Sequence, residues 1–164
     1  MTTEQTAPGA TDLNTVRKAV SVHAPPEVAW RVFTEKMGTW WPLATHKIGK
    51  SNAADAVIEP RAGGRWYERG EDGSTCDWGR VVSWEPPSRL VLTWDISVDW
   101  QFDPTLNTEV EVRFLPDGKG GTRVELEHRH LDRYGARRDE MRAIFESPGG
   151  WEGLLGPFVQ AAAV

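Results

Sequence analysis

The chain has 164 residues, 39% of them hydrophobic and 26% charged, the profile of one globular domain and not of a fibre or a disordered polymer. Lys and Arg number 19 against 24 Asp and Glu, a net charge of −5 with the basic side chains scattered, so no nucleic-acid partner is expected. No apolar run approaches the roughly 20 residues that span a bilayer, so no membrane insertion is expected, and one cysteine (Cys76) with no leader-like start among Met1–Asn14 points to a cytoplasmic protein.

Residues 1–14 are small, polar and Pro/Gly-containing and read as a flexible tail ahead of a single domain over residues 15–164. Val16, Lys18, Val20 and Val22 alternate with Arg17, Ala19 and Ser21, the period of a strand. Pro26 then suits the first turn of a short helix with Ala29, Trp30 and Phe33 on one face. A second short helical piece holds Met37, Trp40 and Trp41 and stops at Pro42. From there the chain turns to β segments near 56–59, 64–69, 75–84, 89–96, 108–115 and 122–130. Glu71-Asp72-Gly73-Ser74, Glu85-Pro86-Pro87-Ser88 and Asp117-Gly118-Lys119-Gly120-Gly121 are too brief for crossover helices, so the strands form an antiparallel meander.

Leu90, Leu92 and Trp94 share one strand face, as do Val110, Val112 and Phe114, and Val124, Leu126, His128 and His130. Glu109, Glu111, Arg113, Arg123, Glu125, Glu127 and Arg129 point the other way. Residues 131–146 are polar and hold one short amphipathic turn around Met141, Ile144 and Phe145. Ser147 as cap and Pro148 at the first position open a terminal helix with a stripe of Trp151, Leu154, Leu155, Phe158, Val159 and Ala162, bent near Pro157.

One sheet with one apolar face and one substantial helix to cover it predicts an α+β helix-grip fold, in which a curved antiparallel sheet wraps a long C-terminal helix and two short helices follow the first strand. Several blocks resemble the START-like (SRPBCC) superfamily, in its branch named after the Hsp90 ATPase activator homologue 1. They are Val22-His23-Ala24-Pro25-Pro26-Glu27-Val28-Ala29-Trp30, Gly63-Gly64-Arg65-Trp66, the run from Gly79 to Trp94, Gly121 to His128, and Gly149-Gly150-Trp151. The resemblance covers the chain from about Val16 onward and implies the same fold. It implies no single activity, because the superfamily contains carriers, receptors and cyclases, and the matching blocks are glycines, turns and core positions.

Nine Trp against five Phe and two Tyr is an unusual weighting. Trp40, Trp41, Trp66, Trp78, Trp94 and Trp151, with Leu155, come from elements that face the space under the helix, where they either fill the core or wall a pocket. His128 and His130 share a strand face and read as polar pocket residues. No metal is expected, since a closed site needs four ligands and no third partner has suitable spacing. Glu68, Asp95, Glu127 and Arg80 read as a solvated or ion-paired surface, and no nucleophile elbow, phosphate loop or catalytic pair of carboxylates is present. The expected function is the binding of a small apolar or aromatic molecule in the cavity between sheet and terminal helix, by a monomer or homodimer and with no cofactor. A cyclase- or hydrolase-type enzyme using the same cavity is the alternative. A chaperone-activator role ranks third, because the family's namesake resembles a protein with an additional chaperone-binding N-terminal domain and here only a short tail precedes the first strand.

Overall fold

Seven strands build one antiparallel sheet in a computed structural model that describes residues 12–163. They are β1 (Val16–Val22), β2 (Ala53–Ile58), β3 (Arg65–Gly70), β4 (Thr75–Glu85), β5 (Arg89–Trp94), β6 (Thr108–Pro116) and β7 (Thr122–Arg129). Strands β2 to β7 form the meander, and β1 returns to pair with β7, giving the order β1-β7-β6-β5-β4-β3-β2. The helices are α1 (Pro26–Thr34), α2 (Met37–Trp40), α3 (Arg138–Glu146) and α4 (Trp151–Ala162), with a 3-10 segment at Leu131–Arg137. This is the helix-grip architecture. Among the described residues no helix is long and apolar enough to cross a membrane.

Alternation decides which face is buried. Val110, Val112 and Phe114 on β6 and Val124, Leu126 and His128 on β7 all lie at 2% exposure or less and face the helices. Phe158 of α4 meets Phe33 of α1 and Trp40 of α2, with ring centroids 5.2 and 5.3 Å apart, so the three helices and the sheet share one core. Trp151, Leu154, Leu155 and Phe158 are all buried, each contributing about 1.5–3 kcal/mol.

Strand β4 carries two irregularities. Trp66 pairs with Gly79 but Tyr67 with Asp77, which leaves Trp78 as an extra residue opposite β3, and a second shift at Val82 loosens the register with β5. The bulge bends the strand and turns Trp78 inward. Gly79 is obligatory there, because a Cβ at this position would sit 1.9 Å from the Thr93 carbonyl oxygen.

The structure departs from expectation in several places. The terminal helix starts at Trp151 with Gly150 as its cap residue, because the Ser147 hydroxyl instead donates to the Ile144 carbonyl (2.6 Å) and closes α3. Residues 138–146 form a full helix: Asp139 and Glu140 sit favourably in its first turn, and Met141 and Phe145 bury one face. The outer sheet face is less wet than its charges suggest. Glu111 is 6% exposed and accepts hydrogen bonds from Arg89, Arg113 and Arg129, and Val91 and Thr93 on the neighbouring strand are buried as well. Most of the expected tail, residues 1–11, lies outside the described residues. Of its last three residues, Asn14 accepts the Leu131 N–H and a bond from Arg138.

Candidate functional site

A cleft of about 480 Å³ opens between the sheet, the loop at 45–48, α3 and the turn at Gly149, and no residue of α4 lines it, unlike the cavity expected between sheet and terminal helix. Four indoles, Trp41, Trp78, Trp94 and Trp100, form its walls together with Ile48, Ile96 and Ile144. Thr45, His46, Lys47 and Gly149 complete the lining. The volume suits a drug-sized ligand, and the mixture of apolar walls with few polar groups is that of a small-molecule site.

Buried polar groups set the walls. Glu68 faces inward on β3, is 2% exposed, and accepts the Trp78 indole N–H (2.8 Å) together with the backbone N–H groups of Ile48 (2.6 Å) and Gly49 (3.1 Å). One carboxylate thus ties a strand indole to the loop that forms the facing wall. Trp41 donates its N–H to the His46 carbonyl (2.8 Å), which fixes its ring against Trp78 at 5.0 Å between centroids.

His46 bridges the cleft. Its Nε2 meets the Gly149 carbonyl at 2.8 Å and its Nδ1 meets the Thr45 hydroxyl at 2.7 Å. A carbonyl can only accept, so Nε2 carries hydrogen, and in the neutral ring Thr45 donates to Nδ1. Asp95 anchors the loop that bears Trp100 by accepting the Thr93 hydroxyl (2.8 Å) and the Asn107 N–H (2.7 Å); burial raises its pKa against those bonds and the nearby Arg80 guanidinium. Trp100 itself is 42% exposed and adopts a left-handed backbone (φ 59°). Glu68 and Asp95, expected at the surface, are therefore buried structural acceptors, because their hydrogen bonds replace the lost hydration.

Behind the walls lies a second layer. Trp66 packs on Trp41, Trp78 and Trp94, and its N–H points at the Met37 sulfur (3.3 Å). Trp151 packs on Trp94 (5.5 Å) and donates its N–H to His128 Nδ1 (3.1 Å). On the other side of the His128 ring, Nε2 lies 3.0 Å from the Thr108 hydroxyl, which is itself committed as a donor to the Trp94 carbonyl (2.7 Å). The chain of donors fixes a neutral ring with hydrogen on Nε2, and complete burial lowers the His128 pKa to about 3. Protonation would place a second N–H against the Trp151 N–H.

Of the residues singled out from sequence, Trp41, Trp78 and Trp94 come together on the cleft wall, and Trp66, Trp151 and His128 lie directly behind it. Trp40 and Leu155 sit in the core, where the Trp40 N–H donates to the Val32 carbonyl (2.9 Å). His130 lies outside this group, 3.7 Å from a Glu109 carboxylate oxygen. Among the described residues no three His, Cys, Asp or Glu side chains converge as a metal site. Sequence reasoning missed Thr45, His46, Lys47, Ile48, Ile96, Trp100, Ile144 and Gly149. Only Trp100 carried a signal, as a large aromatic in the otherwise polar run Asp99-Trp100-Gln101.

A larger depression of about 570 Å³ lies on the outer sheet face, lined by Arg17, Arg113, Arg123 and Arg129 with Glu111, Glu125 and Glu127. Its charges pair with one another, for example Arg113 with Glu111 and Arg123 with Glu125, each at 2.7 Å. It is an ion-pair lattice and offers little to a ligand.

The family model described as activator of Hsp90 ATPase homolog 1-like protein matches residues 23–162. No curated protein matches the chain. Among solved structures, an anthrahydroquino-gamma-pyrone synthase, Txn09, in complex with a molecule designated SUM, is 40% identical, with 91% of this chain and 97% of that chain covered and a TM-score of 0.62. CalC from Micromonospora echinospora, described as a self-sacrificing resistance protein, is 32% identical, with 91% and 94% covered and a TM-score of 0.66. The protein NE0264 from Nitrosomonas europaea shares the fold at 15% identity, with 92% and 94% covered and a TM-score of 0.63.

Proposed function

The chain belongs to the activator of Hsp90 ATPase homologue 1-like family of the START-like superfamily, and from that premise we propose that it binds a planar aromatic small molecule in the tryptophan-lined cleft. The observation that carries this reading is the convergence of Trp41, Trp78, Trp94 and Trp100, from four separate segments, on one opening. Flat ligands gain most from such walls, since each offset or edge-on ring contact is worth about 0.5–1.5 kcal/mol beyond its buried area. Trp66, Trp151 and His128 then act by holding the wall indoles in place. The 40% identical synthase supports a small aromatic substrate class.

The test is calorimetric titration with tricyclic quinones, naphthalene derivatives and fatty acids, together with indole N–H resonances assigned by Trp→Phe substitution. Tricyclic compounds should bind in the micromolar range and shift the signals of Trp41, Trp78, Trp94 and Trp100. Trp30 and Trp84, which pack on each other elsewhere in the fold, should stay still. No binding, or shifts confined to Trp30 and Trp84, would defeat the proposal. The relationship to a synthase also favours a second reading, catalysis in the same cleft, where His46 and Lys47 are the titratable side chains on the wall. Mass analysis of the bound compound separates the two: a carrier returns it unchanged, an enzyme does not.

A further inference from the structure

Resting on that reading, we infer that the ligand carries an anionic oxygen, a carboxylate or ionised phenol, and that the Lys47 ammonium receives it. Most of the hydrogen-bonding capacity around the cleft is already committed. The Trp41 N–H is spent on the His46 carbonyl and the Trp78 N–H on Glu68. Both His46 nitrogens are taken by Gly149 and Thr45.

What remains is almost entirely donors. Lys47 uses one of its three N–H groups on the Gly49 carbonyl (2.5 Å) and, among the described residues, none on a side-chain carboxylate. The Trp100 ring is exposed, whereas the Trp94 N–H is buried beside the Tyr134 hydroxyl and out of a ligand's reach. The spare side-chain acceptor is the exposed Thr45 hydroxyl oxygen. Lys47 is the one lysine or arginine among the lining residues, and Glu68, the carboxylate behind that wall, is already committed to the Trp78, Ile48 and Gly49 N–H groups. A half-buried cation among indoles gains from an anionic partner more than a solvated surface lysine does, because less water competes for it. A ligand of donors would leave these groups unpaired; an acidic, acceptor-rich aromatic satisfies them.

The experiment compares two probes of one shape, anthraquinone-2-carboxylate and anthraquinone-2-carboxamide, by calorimetry on the intact chain and on Lys47→Met and Lys47→Arg variants. The natural chain should prefer the carboxylate by about tenfold, a preference that shrinks as salt is added. In Lys47→Met the ratio should fall to about one, while Lys47→Arg should keep most of it. Equal binding of the two probes to the natural chain, or an unchanged ratio in Lys47→Met, would overturn the inference and leave aromatic binding standing. If neither probe binds or shifts the cleft indoles, both the cleft reading and this inference fall.

Discussion

His128 makes the stability of this protein depend on pH in a defined window. In the unfolded chain the imidazole takes up a proton near pH 6.5, while in the folded protein burial holds its pKa at about 3. Between those values the unfolded state binds a proton that the native state refuses, so acidification favours unfolding; above pH 6.5 the penalty is absent. The slope is about 1.4 kcal/mol per pH unit, which amounts to about 2 kcal/mol at pH 5 and about 5 kcal/mol if the full interval is traversed. Carboxylates add their own slopes below pH 5, so the contribution is isolated by difference. Urea unfolding of the natural chain and of His128→Gln, whose neutral amide can accept from Trp151 and donate to Thr108, should be measured from pH 7.5 to 4.5. The stability gap between them should narrow by about 1.4 kcal/mol for each unit below pH 6.5. A gap independent of pH would show that His128 titrates as it does in solution and would refute the buried donor chain.

Trp100→Ala should leave stability within about 1 kcal/mol, because the ring is 42% exposed, yet weaken binding of a tricyclic aromatic by about five- to twentyfold in calorimetry. Glu68→Ala strands three donors at once and should cost about 2–4 kcal/mol in urea unfolding, with faster amide exchange at Ile48 and Gly49. Glu111→Ala removes an acceptor shared by Arg89, Arg113 and Arg129, of which Arg89 keeps Glu85 and Arg129 keeps Glu109 and Glu127, and should cost about 1–3 kcal/mol by the same measurement. Desolvation raises the Glu111 pKa, but its bonds to Arg129, Arg89 and Arg113 outweigh this and lower it to about 2. Its stabilisation should therefore be present above pH 4.5 and fade as pH falls toward 2 in the natural chain, a slope absent from the variant.

Strand parity made much of the fold readable. Val110, Val112, Val124 and Leu126 alternate cleanly, and the helical stripe from Trp151 to Phe158 has only one face that can be buried, so sheet, helix and their contact follow from period alone. Parity assigns a face but not a depth. Trp66 and Trp78 both point inward and both are 1% exposed, yet only Trp78 reaches the cleft, because the β4 bulge adds a residue that alternation does not anticipate. The rest of the wall comes from segments with no period. Thr45, His46, Lys47 and Ile48 are aligned by Glu68, about 20 residues away in sequence, and Trp100 by a loop anchored on Asp95. Such long-range polar ties leave no local pattern. Residues 138–146 escaped for a different reason: with few apolar side chains, the helix owes much of its stability to packing Met141 and Phe145.

The division between the two aromatic layers has a consequence for how the site can change. The space directly under α4 is filled by Trp66, Trp151, His128 and Leu155, all at 1% exposure or less, so a large cavity there would require removing core side chains at about 3–5 kcal/mol for each aromatic truncated. The opening has been displaced to the rim, where its shape depends on the loops at 45–48 and 97–101 and on the turn at Gly149. Changes in those loops alter the ligand without touching the core that holds the sheet to the helix. The dependence does not run equally in both directions. The wall indoles Trp78 and Trp94 rest on Trp66 and Trp94 also on Trp151, so a loosened core loosens the site, whereas a rebuilt rim leaves the core as it was. Substitutions at Lys47 or Trp100 should therefore redirect binding at little cost in stability, and substitutions at Trp66 or His128 should lower stability first and affinity as its result.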